Sequence, residues 1–217
     1  MNRPYVVSAD VRLLLDGWAQ KKRLVLPNAE FFAQLRGDFF VFMQNIFPMF
    51  DFVPEEELVA GISDLVAQGG LPTISLDRVY FQSGALLDMT RLVDGEGNNK
   101  GLAHRPNTPS LFRQFNKLRE TGLKEVSLVD DVIFSGELIE RIIYCLSQMK
   151  IRVPLVCAGI GIAEGINRIS QSKREVRCVR RYEEVIDEVC ERDFYPGVPF
   201  SGRQLIGNEN IGVPYLI

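Results

Sequence analysis

The sequence predicts an α/β fold, a parallel-sheet core with a mostly helical N-terminal addition. Three observations predict it. From residue 110 onward, segments with helical spacing alternate with apolar runs of strand length, the order expected of a parallel sheet with right-handed crossovers. "GELIERIIYCLSQMK" sets Leu138, Ile139, Ile142, Ile143 and Leu146 on one helical face, so that face packs on a sheet. A chain of 217 residues, 46% hydrophobic and 24% charged, is long and apolar enough for one sizeable α/β domain or a domain with a subdomain.

Taken in order, residues 1–70 read as mostly helical, with caps and breakers at Pro27-Asn28, Pro48 and Pro54. "PNAEFFAQLRGDFF" offers Asn28 as an N-cap, whose side-chain oxygen can accept an N–H of the first turn. "PEEELVAGISDLVAQGG" opens acidic and closes on glycines, as helices prefer. Eight of the 14 phenylalanines fall between Phe31 and Phe52, and read first as a core helix pair, second as a dimer face or a lid. "DRVYFQ" (77–82), rich in aromatic and β-branched residues, predicts a strand, whereas "SGALLDMTRLV" fits strand or helix equally. "DGEGNNKGLAHRPNTPS" (94–110) is rich in Gly, Asn and Pro and predicts a long loop, either a functional lid or a surface excursion. A helix follows over 110–122, with Ser110 and Gly122 as its caps, then a buried strand "EVSLV" (125–129). Further strands are expected at 152–162 and 175–182. The chain so divides into a helical region 1–70 (hood or interface), an α/β core 71–190, and a C-terminal loop and strand 191–217.

Composition narrows the function. A net charge of −3 gives no support for a nucleic-acid partner, although a small anion needs only local N–H donors. Cys145, Cys157, Cys178 and Cys190 form no CxxC pair, and His104 is the single histidine, which argues against a Cys/His metal site and for buried thiols in a reducing compartment. The N-terminus lacks the apolar core of a signal peptide, and "FFVFMQNIFPMF" is too short and too interrupted to span a bilayer. The expectation is a cytoplasmic protein without a membrane partner.

The chemistry concentrates in "SLVDDVIFSG". In a parallel sheet, ligands sit beyond the carboxyl ends of the strands, where Asp130 and Asp131 are expected. The helix opening near Ser135 offers unsatisfied N–H groups and the positive end of its dipole to a phosphate. Gly136 permits close backbone approach, and Ser135 adds a hydroxyl donor. The carboxylates cannot bind phosphate, but they can accept hydrogen bonds from sugar hydroxyls or meet Mg2+ through water. A ligand with a phosphate at one end and a vicinal diol at the other satisfies both halves, and ribose 5-phosphate has that form.

At these residues the sequence resembles the type I phosphoribosyltransferases, whose fingerprint is an apolar strand, two acidic residues, then a Thr/Ser-Gly phosphate loop opening a helix. The resemblance implies that Asp130 and Asp131 contact the ribose hydroxyls of phosphoribosyl pyrophosphate. It implies that Val132, Ile133, Phe134, Ser135, Gly136, Glu137 and Leu138 wrap the 5-phosphate, with Phe134 and Leu138 where the family usually has hydroxyl residues. By the same resemblance, residues 94–110 fall at the family's flexible catalytic loop, with Lys100, His104 and Arg105 as its cations. Ser83 and Gly84 in "FQSGA" are the candidate pyrophosphate-binding turn, and Asp193, Phe194 and Tyr195 the candidate base-recognition residues. The implied activity moves ribose 5-phosphate from phosphoribosyl pyrophosphate to a nitrogen base, with Mg2+ as cofactor and a homodimer as one assembly. The alternative is a non-catalytic phosphoribosyl-nucleotide-binding or regulatory protein.

Three competing motifs fit less well. A haloacid-dehalogenase nucleophile needs an acid two residues on, where Val132 and Ile133 stand. A receiver domain needs more strands than remain after residue 131. "GIGIAEG" (159–165), with Arg180 and Arg181 downstream, suggests a dinucleotide loop, but its spacing is GxGxxxG, and small residues after a strand also serve packing.

Overall fold

The computed structural model describes residues 3–94, 99–105, 107–195, 198 and 204–205. The chain opens with β1 (Tyr5–Ser8), α1 (Val11–Lys22), α2 (Ala29–Ile46), β2 (Phe50–Val53) and α3 (Glu55–Gly69). Asn28 caps α2 by accepting the Phe31 N–H at 3.0 Å, and α3 ends at Gly70 with φ 62°. There follow β3 (Thr73–Ser75), β4 (Ala85–Leu86), β5 (Met89–Val93), β6 (Asn99–His104), α4 (Leu111–Glu120) and β7 (Glu125–Ile133). The remainder comprises α5 (Glu137–Gln148), β8 (Arg152–Ile162), α6 (Ala163–Ser170), β9 (Glu175–Tyr182), β10 (Asp187–Cys190), a 3-10 turn (Glu191–Phe194) and β11 (Gln204–Leu205).

The central sheet has five parallel strands in the order β4-β3-β7-β8-β9. Both of its faces are covered, as an all-parallel sheet requires. Adjacent residues of one strand enter different cores: Leu128 and Val156 pack with α4, α5 and α6, whereas Val129 and Cys157 pack with Leu58 and Ile62 of α3. A second parallel sheet, β10-β1-β2, joins the start of the chain to its end. The third pairs β5 and β6 antiparallel, with β11 beside β5. Among the described residues no helix is long and apolar enough to cross a membrane.

The α/β core with a helical addition matches the expectation, and several elements differ. "DRVYFQ" is a loop, not a strand. The Asp77 carboxylate accepts the N–H groups of Val79, Tyr80 and Phe81, each at 2.7 Å, so the backbone coils round one side chain and local hydrogen bonding overrides β-propensity. The segment 94–110 is not a structureless loop, since β6 pairs with β5 from Met89↔His104 to Val93↔Asn99. Residues 1–70 contain β1 and β2 as well as helices. The aromatic cluster is not a helix pair: Phe39, Phe40 and Phe47 of α2 and its C-terminal flank pack with Val7, Phe50 and Phe52 of the small sheet.

Candidate functional site

Strand order reverses between β3 and β7, because the chain leaves β3 for β4 on one side and β7 for β8 on the other. Such a switch point opens a crevice at the carboxyl ends of the two strands. Here it is a cavity of about 380 Å³. Leu76 borders it after β3, Asp130 to Ile139 and Arg141 come from β7 and α5, and Met89, Thr90, Leu102 and Arg105 come from the hairpin. Asp187 to Cys190, Arg192 and Asp193 close the far wall.

β7 runs further than the sequence suggested, through both aspartates to Ile133, because its pairing with β8 continues at Asp130↔Ala158 and Val132↔Ile160. Asp130 is buried and accepts the Asp131 N–H at 3.0 Å. Burial, then the charges of Asp131 and Asp77, hold its carboxyl well above the usual range. Asp131 accepts the Val132 N–H at 2.9 Å with one oxygen, and its other lies 3.7 Å from the Arg192 guanidinium. Arg192 in turn donates to Asp10, from its backbone at 2.9 Å and its side chain at 2.5 Å. Burial pushes Asp10 up to about 7 against the opposing pull of Arg192. Glu188, which accepts from Ser8 Oγ at 3.0 Å, is pushed up to about 8 by burial and then by Asp131.

The turn after β7 ends at Gly136 with φ 76°, a left-handed conformation that suits glycine, and no side chain caps α5. Ser135 Oγ stands 3.5 Å from the Glu137 nitrogen. The start of α6 packs backbone to backbone on this turn: a Cβ on Gly165 would meet the Phe134 carbonyl, with Ile133 Cγ2 at 2.8 Å and the Gly136 nitrogen at 2.9 Å. Glu137 and Glu140 in the first turn of α5 face Arg168 at 4.0 and 3.6 Å, which tempers their repulsion of an anion.

Of the predicted residues, Asp130, Asp131, Val132, Ile133, Phe134, Ser135, Gly136, Glu137, Leu138, Arg105 and Asp193 line the one cavity. Leu138 also packs on the apolar core. Lys100 stands 3.0 Å from Asp94 and His104 is exposed on the hairpin, and neither lines the cavity. Ser83 and Gly84 are exposed and off the cavity; Gly84, at φ 86°, turns against the Thr73 carbonyl. Phe194 and Tyr195 are off it too, with ring centroids 4.9 and 6.3 Å from that of Phe39. Residues 95–98, 106 and most of 196–217 lie outside the described residues. The "GIGIAEG" glycines serve packing: Gly159 approaches the Asp131 carbonyl, Gly161 approaches Cys178, and Arg180 is paired with Glu57.

Sequence reasoning missed Asp10, Asp77, Asp187, Glu188 and Arg192. A signal existed for two of them: "YVVSAD" and "TISLD", like "SLVDD", are apolar runs that each end in an acid at the carboxyl end of a parallel strand, whereas Asp187 and Glu188 open β10 and carry no such mark. The donor set does not suit a protein-held Mg2+. Among the described residues no three acidic, His or Cys side chains converge to hold a metal, and the Arg192 guanidinium already faces Asp131.

No protein-family model matches the sequence, and no curated protein matches it. Among solved structures it is similar to orotate phosphoribosyltransferase from Aeropyrum pernix, at 14% identity over 57% of this chain and 69% of that one, with a TM-score of 0.34. It is similar to the orotate phosphoribosyltransferase of Mycobacterium tuberculosis, at 11% identity over 57% and 68%, with a TM-score of 0.34. A third likeness is the adenine phosphoribosyltransferase of Thermoanaerobacter pseudethanolicus, at 12% identity over 57% and 79%, with a TM-score of 0.36.

Proposed function

We propose that this protein binds a 5-phosphorylated ribose in the cavity at the carboxyl end of β7. The observation that carries the reading is one wall of that cavity: Asp130 and Asp131 continue directly into a glycine-ended turn and the uncapped N-terminus of α5. The turn and helix supply N–H donors for a phosphate, and Asp131 supplies a charged acceptor for ribose hydroxyls. Asp130, whose carboxyl burial and the neighbouring Asp131 and Asp77 hold well above the usual range, lies beside it. Asp187, Glu188 and Asp193 face the remaining space, where a group attached to the ribose would lie.

One use of such a site is transfer of ribose 5-phosphate from phosphoribosyl pyrophosphate to a nitrogen base. The second is binding without transfer. A specific observation favours the second: of the three cations proposed for the leaving pyrophosphate, only Arg105 lines the cavity, while Lys100 is held by Asp94 and His104 stands apart. Calorimetric titration with ribose 5-phosphate tests the shared ligand class. Asp131→Asn keeps the acceptor for Val132 but loses the charge, so affinity should fall by roughly tenfold or more, the equivalent of a charged hydrogen bond of about 1.5–3 kcal/mol. A wild-type protein indifferent to ribose 5-phosphate, phosphoribosyl pyrophosphate with Mg2+ and nucleoside 5′-monophosphates would refute the reading.

A further inference from the structure

Two loops border the crevice at the switch point, and they differ in what they offer an anion. The turn 133–136 leads into α5 with no side chain on its cap. The loop after β3 is already filled. Three of its N–H groups, from Val79, Tyr80 and Phe81, converge at 2.7 Å on the Asp77 carboxylate. Successive backbone N–H groups turned toward one point form an anion nest. In this protein the anion is its own side chain, 2% exposed.

The rest of that loop is closed as well. Ser75 Oγ donates to the carbonyls of Asp77 and Phe81, both at 2.9 Å. Tyr80 donates its hydroxyl to the Ala9 carbonyl at 2.9 Å, Gln82 donates to the Arg78 carbonyl at 2.7 Å, and the Arg78 guanidinium is paired with Asp88. Leu76 N–H belongs to the sheet, at 2.8 Å from the Val129 carbonyl. The register Ser75↔Val129 sets Asp77 level with Asp131, so this side of the crevice carries three neighbouring carboxylates, Asp77, Asp130 and Asp131. The cations near them are already engaged: Arg192 is tied to Asp10 and Asp131, and Arg78 to Asp88; of the others at the cavity, Arg141 belongs to α5 and Arg105 follows β6, whose Leu102 packs against the core that α5 builds.

Resting on the phosphoribosyl reading, we propose that the cavity selects a ligand with one phosphoryl group, ribose 5-phosphate or a nucleoside 5′-monophosphate, over a ribose that also carries a 1-linked pyrophosphate. The turn at α5 holds the single phosphate. A pyrophosphate on the anomeric carbon would approach the Leu76 edge of the cavity, behind which the N–H nest is already occupied by Asp77 and the neighbouring acids repel like charge. Selection of this kind rests on repulsion against the wrong ligand as much as attraction for the right one.

Calorimetric titration of the whole protein with ribose 5-phosphate, adenosine 5′-monophosphate, and phosphoribosyl pyrophosphate plus Mg2+ tests it. Expected are one or both monophosphates binding at least as tightly as phosphoribosyl pyrophosphate, and free pyrophosphate failing to compete with them. Asp77→Asn removes the charge while keeping one acceptor for the nest, and should improve phosphoribosyl pyrophosphate relative to ribose 5-phosphate by about tenfold. Phosphoribosyl pyrophosphate binding wild type about tenfold more tightly than either monophosphate overturns this proposal and leaves the phosphoribosyl reading standing. If none of the three sugar phosphates binds, the phosphoribosyl reading itself falls, and this proposal with it. The wild-type comparison decides even where the variant fails to fold, and a folded Asp77→Asn without the shift removes Asp77 as the cause.

Discussion

Gly165 illustrates how little of the site a single residue's chemistry reveals. It carries no functional group, yet a methyl there would run into the Phe134 carbonyl and the Gly136 nitrogen, both backbone atoms of the turn between β7 and α5. Backbone cannot rotate away as a side chain can, so Gly165→Ala should cost on the order of 1–3 kcal/mol and weaken ribose 5-phosphate at the same time. Gly37→Ala is the matched control: nothing lies within 4 Å of a Cβ there, and an alanine inside α2 should stabilise by about 0.5–1 kcal/mol. Urea denaturation and titration of both variants check the pair; a Gly165→Ala protein with unaltered stability and affinity would mean the turn yields easily. Residues were legible in the sequence to the degree that their partners were near in the chain. Asp130, Asp131, Ser135 and Gly136 share one strand-turn-helix, so the apolar run and its breaker announced them. Asp10 and Arg192 meet only because β1 pairs with β10, across a separation of 182 residues. No local pattern holds that information.

At the scale of elements, helices and long strands were readable, because periodicity and caps are local. α5 and β8 fall where their apolar spacing predicted, and Ser110 accepts from Arg113 as the cap of α4. Short elements were not. β1 and β2 are four residues each, below the length at which alternation separates a strand from noise, and they exist because they pair with each other while β10, distant in the chain, pairs with β1. The hairpin β5–β6 was hidden by Gly and Asn, which the composition associates with loops. The junction of β7 and α5 gives a direct prediction. Leu138 stands where the resembled family usually keeps a hydroxyl, but it also packs on the apolar core. Leu138→Thr should therefore destabilise by about 1–3 kcal/mol through lost burial, with no tightening of ribose 5-phosphate. Tighter binding at unchanged denaturation midpoint would show instead that this side chain faces the phosphate.

The whole molecule is a five-stranded core with a smaller sheet beside it; Val6 and Val53 of that sheet share an apolar cluster with Val129 and Cys157, and ion pairs are added to that packing. Arg192 spans from Asp10 in the small-sheet layer to Asp131 on β7, and Arg36 of α2 pairs with Glu55 and Glu191. Glu191 also accepts the backbone N–H groups of Asp10 and Val11 at 3.2 and 3.3 Å, securing the start of α1. Gathering acids around one cavity makes folding sensitive to pH in an unusual direction. Burial raises the carboxyls of Asp77, Asp10 and Glu188 to about 6, 7 and 8 in the folded protein, whereas unfolded they ionise near 3.8, 3.8 and 4.5. Between those values the native state holds more protons than the unfolded chain, so stability must fall as pH rises through the window. Glu57 and Glu175, lowered by their arginine partners, act the other way, but only below their ordinary 4.5. The ligand-free protein should thus melt higher near pH 5.5 than near pH 8.5, by at least about 2 °C, the shift that ~1 kcal/mol produces in a domain of this size. Glu188→Gln, neutral at every pH and still able to accept from Ser8, should flatten part of that slope. Scanning calorimetry at constant ionic strength makes the comparison, and a melting temperature that is level or climbs from pH 5.5 to 8.5 would mean these acids are solvated well enough to ionise without penalty.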